Sequence, residues 1–345
     1  MKNLYRAAAV AVAGAILGSA SLAYADSQLV GAGSTFDNPF FSRAFFQYKS
    51  DHPDVTVNYQ SIGSGGGIQQ FTARTVDFGA SDVPLNSKEM AAATAANGPV
   101  VEIPVTLGGV AIAYNVSGAP AHLHLSPGVL TGIFLGKITS WNDGAIAALN
   151  PGAALPNLPL VVVHRADASG TTYIFTDYLS HVSSQWKSQI GTSKSVTWPA
   201  ASSVGMKGNE GVARQIQNTP GAIGYIELAY ALENDIAYAA LQNSAGKFVT
   251  PSLDSVRAAA AQKPNVSSND FSIVDQAGAD SYPICGYSWV MLWRNQADPD
   301  RGKQLTDLFR WVVTSGQAYA VNVKYVALPD NVQTVAEKAL ATIHS

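Results

Sequence analysis

The chain contains, between residues 160 and 172, the stretch Leu160-Val161-Val162-Val163-His164-Arg165-Ala166-Asp167-Ala168-Ser169-Gly170-Thr171-Thr172. An apolar, β-branched run ends in an arginine and is followed by a carboxylate and a turn of small hydroxyl residues. Tyr173, Ile174, Tyr178 and Leu179 then follow at helical spacing. This order predicts a buried strand, a tight turn and the start of a helix.

The turn in this stretch has the chemistry of an anion site. The first N–H groups of a helix lack intrahelical partners, and the helix dipole places positive charge at the same end. Ser169, Thr171 and Thr172 add hydroxyl donors. Arg165 adds a charged fork of N–H donors, and Asp167 is placed to hold that guanidinium rather than the anion. Taken alone, the stretch is equally compatible with an ordinary strand–helix connection that carries an exposed arginine.

The length of the chain predicts about two domains, because 345 residues that are 47% hydrophobic can bury large cores. The first residues are expected to belong to neither domain. Lys2 and Arg6 precede an apolar run from Ala7 to about Ala23, and Ala23-Tyr24-Ala25 is a small-x-small cleavage site. Residues Met1 to Ala25 are therefore predicted to be a secretory signal peptide. The run is too short for a membrane anchor, and no cysteine follows it to carry a lipid.

The cysteine content and the charge restrict the classes of function. Cys285 is the only cysteine, so no internal disulfide can form. Loss of Lys2 and Arg6 with the signal peptide leaves 19 basic and 24 acidic residues, a net charge of −5. This charge argues against nucleic-acid binding, which needs a basic face. An anion must therefore be held by local dipoles and hydrogen bonds rather than by overall charge.

The same order of strand, small polar turn and helix occurs three times near the start of the mature chain. Leu29–Phe36 is an apolar strand that ends in glycine and hydroxyl residues, and Val55–Gly67 ends in Ser64 and a run of glycines. A third strand, Val76–Pro84, has a polar tip at Asp82. This alternation predicts an α/β fold with a largely parallel sheet and a ligand beyond the carboxyl ends of the strands.

The order of the apolar runs predicts where the chain passes between two domains. Val100–Val105 and Val110–Asn115 flank Leu107-Gly108-Gly109, and a later run covers Tyr287–Trp293. We expect the chain to cross to a second domain at the first place and to return at the last run. The predicted discontinuous domain I comprises residues 26–108 with 287–345, and domain II comprises residues 109–286.

Other kinds of site have weaker support in the sequence. The glycine-rich turn at residues 63–67 lacks the Lys-Ser/Thr of a P-loop, and no G-x-G-x-x-G is complete, so no nucleotide site is predicted. The six histidines are scattered without a supporting Cys or carboxylate pattern, so no metal site is predicted. Serine hydrolysis is not indicated either, because G-x-S-x-G is absent and Ser169 has no evident base.

Asp82 is unexpected at the tip of a strand that points into an anion site. A lone Asp in such a position is usually a helix cap or a turn residue. If the polar strand ends converge, its carboxylate would repel an anion that brings no proton, because an ionised Asp only accepts hydrogen bonds. Phosphate is protonated at neutral pH, whereas sulfate is not. Asp82 would then select phosphate by repelling the wrong ligand.

These turns and strand ends, with one later strand, form a series of motifs. They are Gly31-Ala32-Gly33-Ser34-Thr35-Phe36, Gly63-Ser64-Gly65-Gly66-Gly67, Val76-Asp77-Phe78-Gly79-Ala80-Ser81-Asp82, Arg165-Ala166-Asp167-Ala168-Ser169-Gly170-Thr171 and Gly221-Ala222-Ile223-Gly224-Tyr225. From about Leu29 to the C-terminus, the series resembles the periplasmic phosphate-binding proteins of phosphate ABC transporters, the PstS family. The resemblance implies a two-domain α/β protein of the periplasmic-binding-protein type II fold, with two hinge crossings and phosphate in the interdomain cleft.

The resemblance also implies which residues form the site. Asp167 matches the acid that pairs with the arginine, and two positions depart from the family. Asp37-Asn38 stands where Pro-Ala is common, which puts a carboxylate near the site, and Gly65 replaces a frequent serine. The residues implied to bind phosphate are Ser34, Thr35, Phe36, Ser64 and Asp82 from domain I, and Arg165, Ser169, Gly170 and Thr171 from domain II.

The expected function is capture of inorganic phosphate in the periplasm and its delivery to an inner-membrane ABC transporter permease. The protein is expected to be a monomer that is not an enzyme and needs no cofactor. One alternative is a secreted phosphohydrolase that uses the same cleft, although the sequence offers neither a nucleophile nor a metal pair. Another is a receptor for a different oxyanion, such as sulfate or molybdate, against which Asp82 argues.

Overall fold

The computed structural model describes residues 27–344, so the predicted signal peptide lies outside the described residues. The strands are β1 (Ser27–Gly33), β2 (Val55–Ser61), β3 (Phe78–Ser81), β4 (Val100–Tyr114), β5 (His124–Leu125), β6 (Val161–Arg165), β7 (Ser203–Met206), β8 (Ala222–Glu227), β9 (Ala240–Gln242), β10 (Phe248–Val249) and β11 (Cys285–Trp293). The helices are α1 (Asn38–Asp51), α2 (Ser64–Thr72), α3 (Ser87–Asn97), α4 (Pro127–Phe134), α5 (Gly144–Leu149), α6 (Gly170–Val182), α7 (Ser184–Gln189), α8 (Gly208–Asn218), α9 (Leu228–Glu233), α10 (Leu253–Ala261), α11 (Pro299–Val313) and α12 (Asp330–Leu340). Ser315–Tyr319 and Val321–Val323 form 3-10 turns.

The sequence prediction of a strand, a turn and a helix at residues 160–179 is confirmed by β6 and α6. Ser169 is the N-cap of α6, and its Oγ accepts a hydrogen bond from the backbone N–H of Thr172 at 3.2 Å. A serine in this position satisfies one of the unpartnered amides of the first turn. The helix therefore begins where the hydroxyl-rich turn predicted.

Eight strands form one sheet in the order β2-β1-β3-β11-β4-β8-β6-β7, and β10-β9-β5 form a small second sheet. The strands at the two ends of the large sheet, β2-β1-β3 and β8-β6-β7, pair in parallel. The three pairings in the middle, β3-β11, β11-β4 and β4-β8, are antiparallel. The sheet is thus less parallel than the sequence predicted, because two long strands lie between the parallel groups.

Strand β4 joins two apolar runs that the sequence analysis separated at residues 107–109. Its glycines do not interrupt the strand, because Gly108 pairs with Gly286 and Gly109 with Cys285. The absence of a side chain at Gly108 allows close packing instead, since an added Cβ would lie 2.7 Å from Cζ of Phe36. The central strand therefore runs without a break through the predicted crossing point.

The two parallel groups of strands point toward each other across the middle of β4. Ser81, at the end of β3, pairs with Trp289, which in turn pairs with Pro104 of β4. Glu227, at the end of β8, pairs with Val110 of β4 and arrives from the opposite direction. The turns that follow both groups are thereby brought face to face. Ligand sites in α/β sheets lie beyond the carboxyl ends of the strands, so a candidate site is expected here.

Helix α1 shows how the helices cover the sheet. Phe40, Phe41 and Phe45 lie on its buried side, as their spacing predicted, and the rings of Phe41 and Phe45 stack at 4.8 Å. Tyr48, one turn further, meets the half-buried Trp311 of α11 edge-on at 5.4 Å. Aromatic burial of this kind contributes both apolar area and ring–ring contacts to the core.

Within residues 27–344, no helix is both long enough and apolar enough to cross a membrane. In the same part of the chain, no three His, Cys, Asp or Glu side chains lie close enough together to hold a metal ion. Cys285 is a fully buried free thiol at the start of β11, and burial raises the pKa of this thiol. A buried, protonated thiol of this kind is chemically inert.

Candidate functional site

Arg165 ends β6 with its guanidinium buried at the point where the strand groups face each other. Its Nε donates to Oδ1 of Asp167 at 2.8 Å, and its Nη2 donates to Oδ2 of the same carboxylate. Burial raises the pKa of Asp167, but the hydrogen bond and the charge of Arg165 outweigh it and hold that pKa below its ordinary value. Arg165 Nη1 is buried and has no hydrogen-bond partner among the described residues. This N–H group is therefore available to a ligand.

The first turn of α6 lies against the turns of the other strand group. The backbone N–H of Gly170 donates to Oγ of Ser64 at 3.0 Å, and Oγ1 of Thr171 donates to Oδ2 of Asp82 at 3.1 Å. An added Cβ at Gly170 would lie 2.5 Å from Cβ of Asp82. Only glycine allows so close an approach, so α6 presents its positive end directly to the Asp82 carboxylate.

Asp82, just after β3, is 2% exposed and is surrounded by hydroxyl groups. Ser34 Oγ and Ser288 Oγ reach its Oδ1, the latter at 3.1 Å. Burial raises the pKa of Asp82, while the hydrogen bond from Ser34 and the charge of Arg165 oppose this rise. The surrounding donors favour the ionised form of this carboxyl group, but burial outweighs them and leaves its pKa above the ordinary value.

Ser64 begins α2 and connects two of the predicted site segments. Its Oγ accepts from the backbone N–H of Asp82 at 3.3 Å as well as from that of Gly170. Its side chain is fully buried. Gly65 follows it in the same turn, and its N–H donates to the carbonyl oxygen of Ala168 at 2.8 Å. The glycine-rich turn is consequently part of the contact between the two strand groups.

The turn after β1 contributes Thr35 and the backbone around it. Thr35 Oγ1 accepts from the backbone N–H of Asn209 at 3.2 Å and from its Nδ2 at 2.9 Å, and Tyr230 Oη donates to the Thr35 carbonyl oxygen at 2.6 Å. Phe36 differs from the other predicted residues because its ring is buried in the core, edge-on to Tyr325 at 6.3 Å. Phe36 can therefore contribute only backbone groups to a site.

Apart from the ring of Phe36, the residues that the resemblance implied are thus brought to one buried place, although the only recorded hydrogen bond of the Ser169 hydroxyl is its cap to Thr172. The place combines a partly unpartnered guanidinium, a helix N-terminus, several hydroxyl groups and one carboxylate that accepts hydrogen bonds. Such a set can surround a small oxyanion with donors and can accept a proton from it at a single position. Positively charged and neutral donors outnumber the acceptor, as an anion requires.

The chain is similar to known proteins over most of its length. A family model described as a PBP superfamily domain matches residues 18–315. The PstS phosphate-binding protein of Xylella fastidiosa is 43% identical over 310 residues, which cover 88% of this chain and 82% of that protein. The chain belongs to the PstS family.

A second PstS relative, from Haemophilus influenzae, is 41% identical over 319 residues, which cover 92% of this chain and 93% of that protein. A crystal structure of the phosphate-binding protein from Stenotrophomonas maltophilia has a TM-score of 0.70 at 18% identity, covering 90% of this chain and 93% of that chain. These matches extend over nearly the whole molecule. They show the two-domain type II fold of periplasmic binding proteins, and the PstS relatives are named as binding proteins rather than as enzymes.

In this member of the PstS family, sequence reasoning missed two residues beside the site. Asn209 contacts both Thr35 and Thr171, and Ser288 contacts both Asp37 and Asp82. Asn209 had a usable signal, because it lies in the first turn of α8, which follows β7 after one residue, so it too stands at a strand–helix junction. Ser288 had none, since it lies inside the apolar run of β11. Asp37 was noticed as a departure from the family, but its contacts were not foreseen.

Proposed function

We propose that this protein binds inorganic phosphate in the cleft between the two groups of strands and delivers it to an inner-membrane ABC transporter permease. The observation that carries the proposal is the position of Asp82, a buried acceptor within a ring of donors. A protonated oxyanion gains a hydrogen bond there, whereas an unprotonated one meets uncompensated negative charge. The names of the PstS relatives support the same ligand.

The proposed ligand groups come from both sides of the cleft. Arg165 would contribute a charged N–H, and Asp82 would accept the proton of the bound phosphate. Asp167 would act by holding the guanidinium in place. The remaining proposed donors are the side chains of Ser34, Thr35, Ser64, Ser169 and Thr171 and the backbone of Phe36 and Gly170.

Two rigid bodies are proposed, with residues 26–108 and 287–345 in one and residues 109–286 in the other. The proposed boundaries fall in β4 and β11, which pair with each other from Val100 to Gly109, while the last residues of β4 pair with β8. A bending motion of these two strands would open and close the cleft. In solution scattering, phosphate is expected to reduce the radius of gyration, and an unchanged radius at saturation would contradict the hinge.

We further propose that the protein acts in the periplasm and has no catalytic activity. Residues Met1 to Ala25 would direct export to the periplasm, where the mature protein would act as a monomer and without catalysis. Incubation with a chromogenic phosphate ester tests the last point, since turnover would contradict a pure binding role. Mass measurement of the protein recovered from the periplasm tests whether cleavage follows Ala25.

The main test is a titration of the mature protein with phosphate and with sulfate. The ring of Trp198 stacks on that of His164, with 5.1 Å between the ring centroids. Because His164 directly precedes Arg165, Trp198 provides a fluorescence signal near the site. We expect tight binding of phosphate and binding of sulfate that is weaker by orders of magnitude. Equal affinity for both anions, or no binding of phosphate, would overturn the proposed function.

A further inference from the structure

A second carboxyl group lies directly behind the proposed phosphate site. Asp37, at the start of α1, is fully buried. Its Oδ2 lies 2.6 Å from Ser288 Oγ, and its Oδ1 accepts a hydrogen bond from Thr106 Oγ1. Asp37 is not one of the proposed phosphate-binding residues.

The Ser288 hydroxyl connects this carboxyl group to Asp82. Ser288 Oγ is 2.6 Å from Asp37 and 3.1 Å from Asp82 Oδ1. A hydroxyl group has one proton to donate, so it cannot donate to two ionised carboxylates at once. One of the two carboxyl groups must itself donate to Ser288 Oγ if both contacts are to be hydrogen bonds. Two hydrogen bonds at this hydroxyl group therefore need a proton on one of the two acids.

The surrounding groups place this proton on Asp37. Burial raises the pKa of Asp82, but the positive charge of Arg165 opposes this rise. Asp82 also accepts from Ser34 and Thr171 in addition to Ser288. Asp37 is also hydrogen-bonded by Thr106, Ser288 and Ser34, but it faces no cation of comparable influence. Burial, followed by the negative charge of Asp82, raises the pKa of Asp37 to about 8. At neutral pH the chain of donors then runs from Asp37 through Ser288 to Asp82.

We propose that Asp37 is a proton-holding residue of this oxyanion site, which when protonated directs the Ser288 hydroxyl onto Asp82 and when ionised weakens binding of the anion. The inference rests on the proposed phosphate-binding function. While Asp37 holds its proton, Asp82 is the ionised member of the pair and can accept the proton of the ligand. Ionisation turns Ser288 toward Asp37 and adds a second negative charge behind the site.

The other groups that face Asp37 do not reverse this effect. Tyr59 from β2 and Tyr325 from the segment before α12 lie within its electrostatic reach, and burial raises the pKa of both phenols well above their ordinary value. Both therefore stay neutral while Asp37 titrates. Arg165 stays charged throughout. Among the ionised groups, Asp82 is then the one whose surroundings change most when Asp37 gains or loses its proton.

The sign of the pH dependence follows from linkage. A bound anion raises the pKa of Asp37 further, so binding takes up a proton when Asp37 is ionised in the free protein. Affinity is full below about pH 8 and falls as the pH rises through that value. The titration of phosphate itself is the same for every variant, so it cancels when two variants are compared at one pH.

The test compares the wild-type protein with Asp37→Asn by calorimetric titration of phosphate. Asn keeps the size of Asp, accepts from Thr106 through its oxygen and donates to Ser288 through its amide, so it imitates the protonated acid. At about pH 6 we expect the two proteins to have similar dissociation constants for phosphate. At about pH 9.5 the dissociation constant of the wild type should exceed that of Asp37→Asn by about tenfold or more. Titration in buffers of different ionisation enthalpy should also show proton uptake near pH 8.5 that is about one proton larger in the wild type than in Asp37→Asn.

Two further variants make the result specific. Glu227→Gln removes another fully buried carboxyl group, one that caps α9 through Ala229 rather than contacting Ser288, and it should keep the wild-type pH dependence. Thr106→Val removes a donor to Asp37 alone and should move the midpoint to higher pH. A wild-type to Asp37→Asn ratio that stays constant with pH, with phosphate still bound, would overturn this inference only. Loss of phosphate binding in the wild type at every pH would instead overturn the proposed function.

Discussion

Asn209 Nδ2 lies 2.9 Å from Thr35 Oγ1, although the two residues are 174 positions apart and follow strands of opposite groups. The same amide reaches Thr171 Oγ1 at 3.2 Å, and Asn209 Oδ1 accepts from the backbone N–H of Glu227 at 3.0 Å. Asn209 is fully buried, so these bonds have no competition from water. The residue therefore joins the proposed domains beside the site and orients a hydroxyl on each side.

Asn209→Ala removes this connection. We expect phosphate affinity to fall about fivefold to tenfold, equivalent to about 1–1.4 kcal/mol, because two buried hydroxyl groups lose a partner. Calorimetric titration measures the change. Asn218→Ala, at the exposed end of the same helix, is the matched control and should bind as the wild type does. Equal affinities of the two variants would show that the connection does not support binding.

Gly170→Ala tests whether the cleft must close this tightly. The added methyl group would lie 2.5 Å from Cβ of Asp82, so the closed arrangement is blocked while each domain can still fold. Affinity for phosphate should fall about a hundredfold or more, about 2.7 kcal/mol. Gly144→Ala, also at the first position of a helix but with nothing within 4 Å, should leave the affinity unchanged. A Gly170→Ala protein that binds normally would rule out this closed geometry.

Arg165→Ala should weaken phosphate binding by about 2–5 kcal/mol, because a buried charged donor is lost. Arg165→Lys should recover only part of this, since an ammonium group cannot contact Asp167 and the ligand with a planar fork. Arg214→Ala removes the same charge from an exposed position and controls for overall electrostatics. Titrations at one ionic strength suffice, and a wild-type dissociation constant for Arg165→Ala would remove this residue from the site.

Asp82→Asn tests selectivity. The variant should keep phosphate affinity within about tenfold, about 1.4 kcal/mol, and should gain relative affinity for sulfate because the repulsive charge is gone. If Asp82 served only as a turn or helix cap, Asn would replace it equally well and the phosphate-to-sulfate ratio would not change. Isothermal titration of both anions into both proteins at one pH separates these outcomes. Asp280→Asn, on the exposed surface, provides the control for lost charge.

The sequence predicted the parts of the fold that are local in the chain. The apolar run before Arg165, the hydroxyl-rich turn and the spacing of the following helix all act within about 20 residues, and the structure has β6 and α6 there. The arrangement in the middle of the sheet was not predictable in this way. In the sequence, Gly108 and Gly109 indicate an interruption between two strands. Only their pairing with β11 shows that β4 continues through them.

The sequence by itself determined the chemistry of each turn, because a strand end, a glycine and a hydroxyl group follow one another along the chain. It could not determine which turns meet, since this depends on strand pairing between distant segments. Asp37 and Ser288 are 251 positions apart, and a serine inside an apolar strand gives no local sign of a polar contact. The tertiary structure alone placed that hydroxyl between two buried carboxyl groups, where the cost of burying charge makes their protonation interdependent.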